Sequence, residues 1–284
     1  MTVRSVAVVT DSTAFIPKNL LDQYGITFIA NIVNWGPQSF RDGVDMQPAE
    51  FYERMKTDAV QPTTAAASVG EAHEVYAKAA ESAESVVGIH ISAKLSGTYQ
   101  SAVQGSQMVT GRQIAVIDGQ STAMALGFVV LTAARAAQDG ASFDEVVAAA
   151  NNAIPHVGLL FTVETLEYLR RGGRIGGAAA FLGNLMDVKP ILELKDGRVE
   201  PMERARSKKK AVARILDVME ERTAGQSPIR LATIEAAATE EARQLLESAR
   251  QRFGATETIL AEASPTVGVH AGPGTVGLAW CAGI

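Results

Sequence analysis

The chain has 284 residues, of which 47% are hydrophobic and 20% charged, a composition typical of a globular rather than a disordered protein. Its 26 basic and 31 acidic residues leave a net charge of −5, which disfavours broad, phosphate-driven binding of nucleic acid. The single Cys281 excludes an internal disulfide framework and fits a cytoplasmic location, and no apolar run approaches the roughly 20 residues that a membrane-spanning helix needs.

Strand and helix patterns alternate through the first half of the chain. Residues 6–10 form a continuous apolar run that ends at Asp11-Ser12-Thr13, which is typical of a buried strand followed by a polar loop. Similar patterns predict strands over 26–33, 86–91 and 114–117, and helices over 48–55, 70–83, 97–109 and 123–138. This alternation predicts a Rossmann-like, mostly parallel sheet flanked by helices, with a ligand crevice at the carboxyl ends of its strands.

A second α/β domain with a mixed sheet is predicted to follow. It contains a strand at 158–163, a helix near 165–171, a hairpin that turns at 195–198, and a helix after Arg206. A strand at 229–235, a helix at 240–253 and a strand at 257–263 complete it. We therefore expect domains over 1–155 and 156–264, with the tail 265–284 returning to the first domain.

Polar residues follow several of the predicted strands. Thr63 and Thr64 form one pair, and Ser96, Gly97 and Thr98 open a predicted helix, where a hydroxyl and unpaired N–H groups could hold a carboxylate or phosphate. The structural alternative is that Ser96 only caps the helix and Thr64 is an ordinary loop residue.

His270 lies in the glycine-rich string HAGPG, whose flexible backbone can bring the imidazole close to another loop. It could donate a hydrogen bond to an anion or be a purely structural histidine. No two histidines stand at metal-ligand spacing, so no metal site is expected. A serine hydrolase that uses Ser96 as nucleophile, His270 as base and Asp11 or Asp118 as orienting group is an open alternative, although no nucleophile-elbow motif is present.

Basic residues cluster at 170–174 and 204–210. Cations in the first turn of a helix oppose its dipole, so local stability does not explain the second cluster. Each cluster is either a partner surface or a solvated charged face. The run of small residues at 176–183 either packs closely or borders a cavity.

Seven strings, taken in order, resemble the DegV family of bacterial fatty-acid-binding proteins. They are VVTDST, QPTTAAAS, ISAKLSGTYQSA, LEYLRRGGRIGGAAAFLG, VKPIL with its following DGRV hairpin, RAR, and HAGPG. The resemblance spans nearly the whole chain.

The resemblance implies a two-domain protein that holds one long-chain fatty acid in a tunnel at the domain junction and is not itself an enzyme. It implies that the carboxylate is bound by five residues: Thr63, Thr64, Ser96, Gly97 and His270. It also implies no cofactor beyond this ligand. In family members that serve a fatty acid kinase, arginines at positions resembling Arg174 and Arg206 contact the kinase, which phosphorylates the bound acid for phospholipid synthesis.

Two strings depart from the family pattern. PTTAAAS lacks the Ser-Gln-Pro that usually follows the paired threonines, and Gly119 stands where the family commonly has serine. The head-group network is therefore expected to differ in detail. A third hypothesis, a regulatory scaffold that acts through its basic clusters without a ligand, predicts a collapsed interior.

Overall fold

A computed structural model describes residues 4–181 and 188–284 of the protein. The strands are β1 Arg4–Asp11, β2 Thr27–Ile29, β3 Ile32–Trp35, β4 Gln38–Arg41, β5 Thr63–Ala65, β6 Ala83–His90, β7 Gln113–Asp118, β8 Val157–Thr162, β9 Lys189–Lys195, β10 Arg198–Ala205, β11 Ile229–Glu235, β12 Glu257–Ile259 and β13 Val276–Ala282. The α-helices are α1 Lys18–Tyr24, α2 Pro48–Thr57, α3 Val69–Ser82, α4 Thr98–Gln107, α5 Ala123–Gln138, α6 Phe143–Ala153, α7 Glu167–Arg171, α8 Lys208–Thr223, α9 Thr239–Phe253 and α10 Pro265–Ala271.

The first sheet has the strand order β2-β1-β6-β7, and every neighbouring pair in it is parallel. Its central strands β1 and β6 are almost entirely buried, as expected when helices cover both faces of a parallel sheet. The predicted parallel α/β architecture is therefore confirmed. The loops after β1 and β6 leave the sheet at the same edge, which brings Thr13 and Ser96 to one region.

The second sheet is mixed, in the order β10-β9-β8-β13-β11-β12. All of its pairs are antiparallel except β11 with β12. The predicted hairpin is confirmed, because β9 ends at Lys195 and β10 begins at Arg198. The expectation that the tail 265–284 returns to the first domain is wrong for residues Val276–Ala282, which form strand β13. β13 is apolar and buried at all seven positions, so it occupies the centre of the second sheet, between β8 and β11.

A small antiparallel sheet, in the order β4-β3-β5, was not predicted. The apolar run at 26–33 divides into β2 and β3, because the backbone N–H of Asn31 leaves the first sheet to donate to the Ser12 hydroxyl. β5 pairs with β3 and places Thr64 opposite Val33.

Helix α5 lies between the two larger sheets. It packs against β1 and α6 on one side and against β8, β11 and β13 on the other. Eleven of its residues are buried, as expected for a helix that is apolar on every side. The two-domain α/β fold is thus built around a shared helix, and the boundary at residue 155 stays a prediction.

The small-residue run predicted at 176–183 is described as far as Phe181. Residues Gly176–Phe181 form a 3-10 turn that packs on β10, and Gly176 has φ +50 and lies against the Val199 carbonyl, where a side chain has no room. Close packing therefore explains this part of the run. Its last two residues lie outside the described residues.

Candidate functional site

A cavity of about 190 Å³ lies where loops of the first sheet meet the face of the second sheet. An apolar cavity of about 150 Å³ is already large enough to take up benzene, so this one exceeds an ordinary packing defect. Its apolar wall includes Ile91, Leu159, Phe161, Leu169, Leu194 and Ile234. The polar residues that line the same cavity include Thr13, Asn31, Thr64, Ser96, Thr266 and His270. The lining of this cavity suits an apolar group that carries one polar group.

The structure brings Thr64 and His270 into direct contact, although 206 residues separate them along the chain. The Oγ1 atom of Thr64 lies 2.8 Å from Nε2 of His270. Strand β5 supplies the threonine and helix α10 supplies the histidine. When Nε2 carries the proton and donates to Thr64, the threonine hydroxyl can donate its own hydrogen to a ligand.

His270 is held in the neutral form. Burial lowers the pKa of its imidazole to about 4, and the positive charge of Arg174 adds to this effect. Its Nδ1 atom is buried without a hydrogen-bond partner among the described residues. Gly172 makes this position possible, because a Cβ atom there would lie 2.0 Å from Nδ1. With the neutral imidazole donating to Thr64, the Thr64 hydroxyl can bind a carboxylate as a hydrogen-bond donor, without forming an ion pair.

Ser96 reaches the cavity from the loop that precedes α4. Its hydroxyl lies 2.8 Å from that of Thr98 and accepts a hydrogen bond of 3.2 Å from the Thr98 backbone N–H. Gly97, not Ser96, is the N-cap residue of α4, so the predicted cap is displaced by one position. Gly97 also lines the cavity, and together the two residues present a hydroxyl and the positive end of a ten-residue helix.

Thr63 does not line this cavity. Successive side chains of a strand point to opposite faces, so Thr63 lies on the face opposite Thr64 and is exposed. It lines a second, outer cavity of about 260 Å³ instead. Thr64, Arg174 and His270 line both cavities, so the Thr64–His270 pair forms part of the wall that the two cavities share.

Arg174 is half-buried in this shared wall. Its guanidinium donates to the Leu95 carbonyl at 3.0 Å and to the Gly172 carbonyl at 2.5 Å. The family resemblance implies that Arg174 belongs to a partner surface, and the structure also places it beside the predicted carboxylate-binding residues. Arg206, by contrast, is exposed after β10, and its side chain makes no hydrogen bond or ion pair with another described residue.

Several polar residues of the site were missed by sequence reasoning. Asn31 and Thr266 line the cavity, and Thr122 contributes a buried hydroxyl without a hydrogen-bond partner among the described residues. Asn31 accepts from the Thr98 hydroxyl at 2.5 Å. None of these residues belongs to a local motif, so long-range contacts alone reveal them.

The geometry does not support the hydrolase alternative. Asp11 accepts hydrogen bonds from Thr13 and Ile91 and contacts His90, and Asp118 accepts from two backbone N–H groups. Neither carboxylate therefore orients His270, as a catalytic triad requires. The cavity likewise contradicts the collapsed interior that a ligand-free scaffold predicts.

The described residues contain no cluster of histidine, cysteine and acidic side chains suited to a metal ion. None of the helices in the described ranges is long and apolar enough to cross a bilayer.

The neutral state of His270 predicts a pH-dependent stability. Because its folded pKa of about 4 lies below the unfolded value of 6.5, the unfolded chain binds more protons between these pH values. The free energy of unfolding should therefore fall as the pH drops through this window. Urea unfolding of ligand-free protein should show that the free energy of unfolding falls by about 2 kcal/mol more in wild type than in His270→Gln between pH 7 and pH 4.5. A constant difference between the two proteins would show that His270 is not held neutral.

Comparison with known proteins identifies relatives over the whole chain. A family model described as "Uncharacterised protein, DegV family" matches residues 5–283. A DegV domain-containing protein of Streptomyces coelicolor is 37% identical over 278 residues, which cover 97% of this chain and 98% of the relative.

Solved structures give the same result. A DegV family protein from Thermus thermophilus, described for its fatty acid binding, has a TM-score of 0.92 at 35% identity and covers 98% of this chain and 99% of its own. DegV from Bacillus subtilis, described as a fatty acid binding protein, has a TM-score of 0.90 at 32% identity, with coverage of 98% and 99%.

Proposed function

The chain belongs to the DegV family, and from this membership and the geometry of the cavity we propose that it binds one long-chain fatty acid. The carboxylate is held by Thr64, Ser96, Gly97 and His270, with Thr63 at the outer cavity, and the acyl chain lies against the apolar wall. The observation that carries the proposal is the meeting of Thr64, Ser96 and His270 at one apolar cavity.

The energetics favour this ligand. Each buried methylene contributes about 0.8 kcal/mol, so a 16-carbon chain gains on the order of 10 kcal/mol before ordering and association costs. The acyl chain therefore supplies most of the affinity. Burying an unpaired carboxylate costs several kcal/mol, and the hydroxyls and the N-terminus of α4 offset that cost by donating hydrogen bonds, with the neutral imidazole donating to the Thr64 hydroxyl.

Extraction of the purified protein tests this function directly. Protein from a bacterial host, extracted with organic solvent and measured by mass spectrometry, should release about one long-chain fatty acid per chain. Lipid-free protein should also take up palmitic acid at the same stoichiometry. Protein that releases no fatty acid and binds none when it is added does not have this function.

We infer further that the protein is a cytoplasmic, non-catalytic subunit that presents the acid to a fatty acid kinase. In that reaction a carboxylate oxygen attacks the γ-phosphorus of ATP, the bond to ADP breaks, and an acyl phosphate forms. The outer cavity supports this role, because the Thr64–His270 pair lines it together with the exposed residues Thr63 and Arg171. Arg206, exposed and without a hydrogen-bond or ion-pair partner in the described ranges, and the Arg174 guanidinium beside both cavities suit an acidic partner surface.

Arg206→Glu separates presentation from binding. Because Arg206 does not line the cavity, the variant should keep the affinity for palmitic acid, whereas charge reversal at a partner contact should lower acyl-phosphate formation by at least tenfold. The measurement is acyl-phosphate formation with a fatty acid kinase and ATP.

Lys78→Glu on helix α3 is the matched control, because it makes the same charge change at an exposed site away from both the inner and the outer cavity. It should leave the rate unchanged. Equal rates for both variants would remove Arg206 from the kinase contact.

A further inference from the structure

Asp42 is a fully buried carboxylate that does not line the ligand cavity. It follows β4, and its Oδ2 atom accepts hydrogen bonds from the hydroxyls of Ser12 at 2.8 Å and Ser264 at 2.9 Å. In the described parts of the chain no cation pairs with it. Burial raises its pKa to about 6, and interactions with Thr266, Ser12 and Ser264 limit this rise, so the group is mostly ionised at neutral pH. A buried charge with no cation beside it among the described residues needs an explanation.

Two of the partners of Asp42 belong to segments that line the cavity. Ser12 directly precedes Thr13, and Ser264 is the N-cap residue of α10, where its hydroxyl accepts from the Val267 backbone N–H. Helix α10 carries His270. One carboxylate therefore fixes the positions of two separate parts of the cavity wall.

A third connection runs from Asp42 to Ser96 through a chain of hydrogen bonds. The Nδ2 atom of Asn31 donates to the Ser12 hydroxyl at 3.3 Å, and Oδ1 of Asn31 accepts from the Thr98 hydroxyl at 2.5 Å. The Thr98 hydroxyl in turn contacts that of Ser96 at 2.8 Å.

The ionised carboxylate gives this chain a direction. Because it can only accept, the Ser12 hydroxyl must donate to Asp42 and is left to accept from Asn31. The amide oxygen of Asn31 then takes the hydrogen of Thr98. Because Thr98 has given its hydrogen to Asn31, the Ser96 hydroxyl is the donor in its 2.8 Å contact with Thr98, and it can exchange this neutral acceptor for a ligand carboxylate.

This step rests on the proposed function: we propose that Asp42 is the positioning residue for carboxylate recognition, which holds Ser96 and helix α10 so that their donors converge on an acid head group. Asp42 itself does not contact the ligand. Its effect should therefore fall on the preference for an acid over a ligand of equal chain length that lacks the carboxylate.

The test compares palmitic acid with hexadecanol, whose apolar chains have the same length. Dissociation constants are measured at pH 7.5 on lipid-free wild type, Asp42→Asn and Asp45→Asn. Asp42→Asn should weaken palmitic acid binding by about tenfold and hexadecanol binding by less than about threefold. Asp45 is the matched control, because it lies in the same loop, pairs with Arg41 and is not connected to the chain of hydroxyls. Its variant should keep the wild-type ratio.

Equal weakening of both ligands by Asp42→Asn would mean that Asp42 only supports the fold, and it would overturn the proposal. If Asp42→Asn does not fold, Ser12→Ala provides the second variant, because it cuts the connection between Asp42 and Asn31 while Asp42 keeps Ser264. It too should lower the acid-to-alcohol ratio several-fold, and an unchanged ratio would overturn the proposal. Failure of the wild type to bind either ligand would instead refute the proposed function.

Discussion

Combined replacement of Thr64 by valine and Ser96 by alanine should lower the affinity for palmitic acid by roughly a hundredfold or more. A hydrogen bond to a charged group contributes about 1.5–3 kcal/mol, and each factor of ten in affinity corresponds to about 1.4 kcal/mol. Both changes remove a donor at the cavity and leave the apolar wall intact. Titration of lipid-free protein gives the dissociation constant, and lipid extraction should show the matching loss of co-purified fatty acid.

Thr258→Val with Ser248→Ala is the matched control for this double variant. Both residues are exposed, Thr258 in a strand as Thr64 is, and neither lines the cavity. The control should bind like wild type. Wild-type affinity in the double variant would show that the carboxylate is held elsewhere.

Gly172→Ala should have the second largest effect. A Cβ atom at this position would lie 2.0 Å from Nδ1 and 2.7 Å from Cε1 of His270, so the imidazole must move and its contact with Thr64 breaks. The backbone of Gly172 has φ −72, which alanine adopts without strain, so the clash alone produces the effect. We expect palmitic acid to bind roughly tenfold to a hundredfold more weakly in a direct titration.

Gly173→Ala separates this clash from a general effect of alanine in the loop. Gly173 has φ +69 and open space around its missing side chain, so alanine there adds backbone strain of about 1–2 kcal/mol but touches nothing. The control should lose stability in urea unfolding while keeping its affinity. Similar affinity losses in both variants would show that loop strain, not displacement of His270, weakens binding.

Local patterns were sufficient to predict most of the framework. The apolar run of α5 predicts its observed bounds, and the hydroxyl residues that follow β6 were predicted to meet a ligand because strand ends of a parallel sheet share one edge. His270 was singled out by its glycine-rich string and by family resemblance. The helix that carries it was not predicted, because the run of valine and glycine before it has low helix propensity. Its Ser264 cap and tertiary packing override that propensity.

The parts that were missed depend on contacts between distant segments. Asp42 lies in a polar loop that looks like an ordinary turn, and its importance emerges only when Ser264, 222 residues away, donates to it. Asn31 was assigned to the interior of a strand, whereas its amide joins Ser12 to Thr98 across separate loops. Hydrophobic patterns in a sequence carry no information about such contacts. The residues that hold the predicted hydrogen-bond donors in place could therefore be identified only from the structure.

Helix α5 also limits how a ligand could enter. Because both large sheets pack on the same buried helix, opening the interface between them like a hinge would expose apolar surface on two sides at once. A ligand should therefore enter and leave through small local movements of the residues at the edge of the cavity, while the two large sheets stay packed on α5. For the same reason, cleavage of the chain after residue 155 would separate β8, β11 and β13 from this helix. Neither fragment should therefore fold on its own.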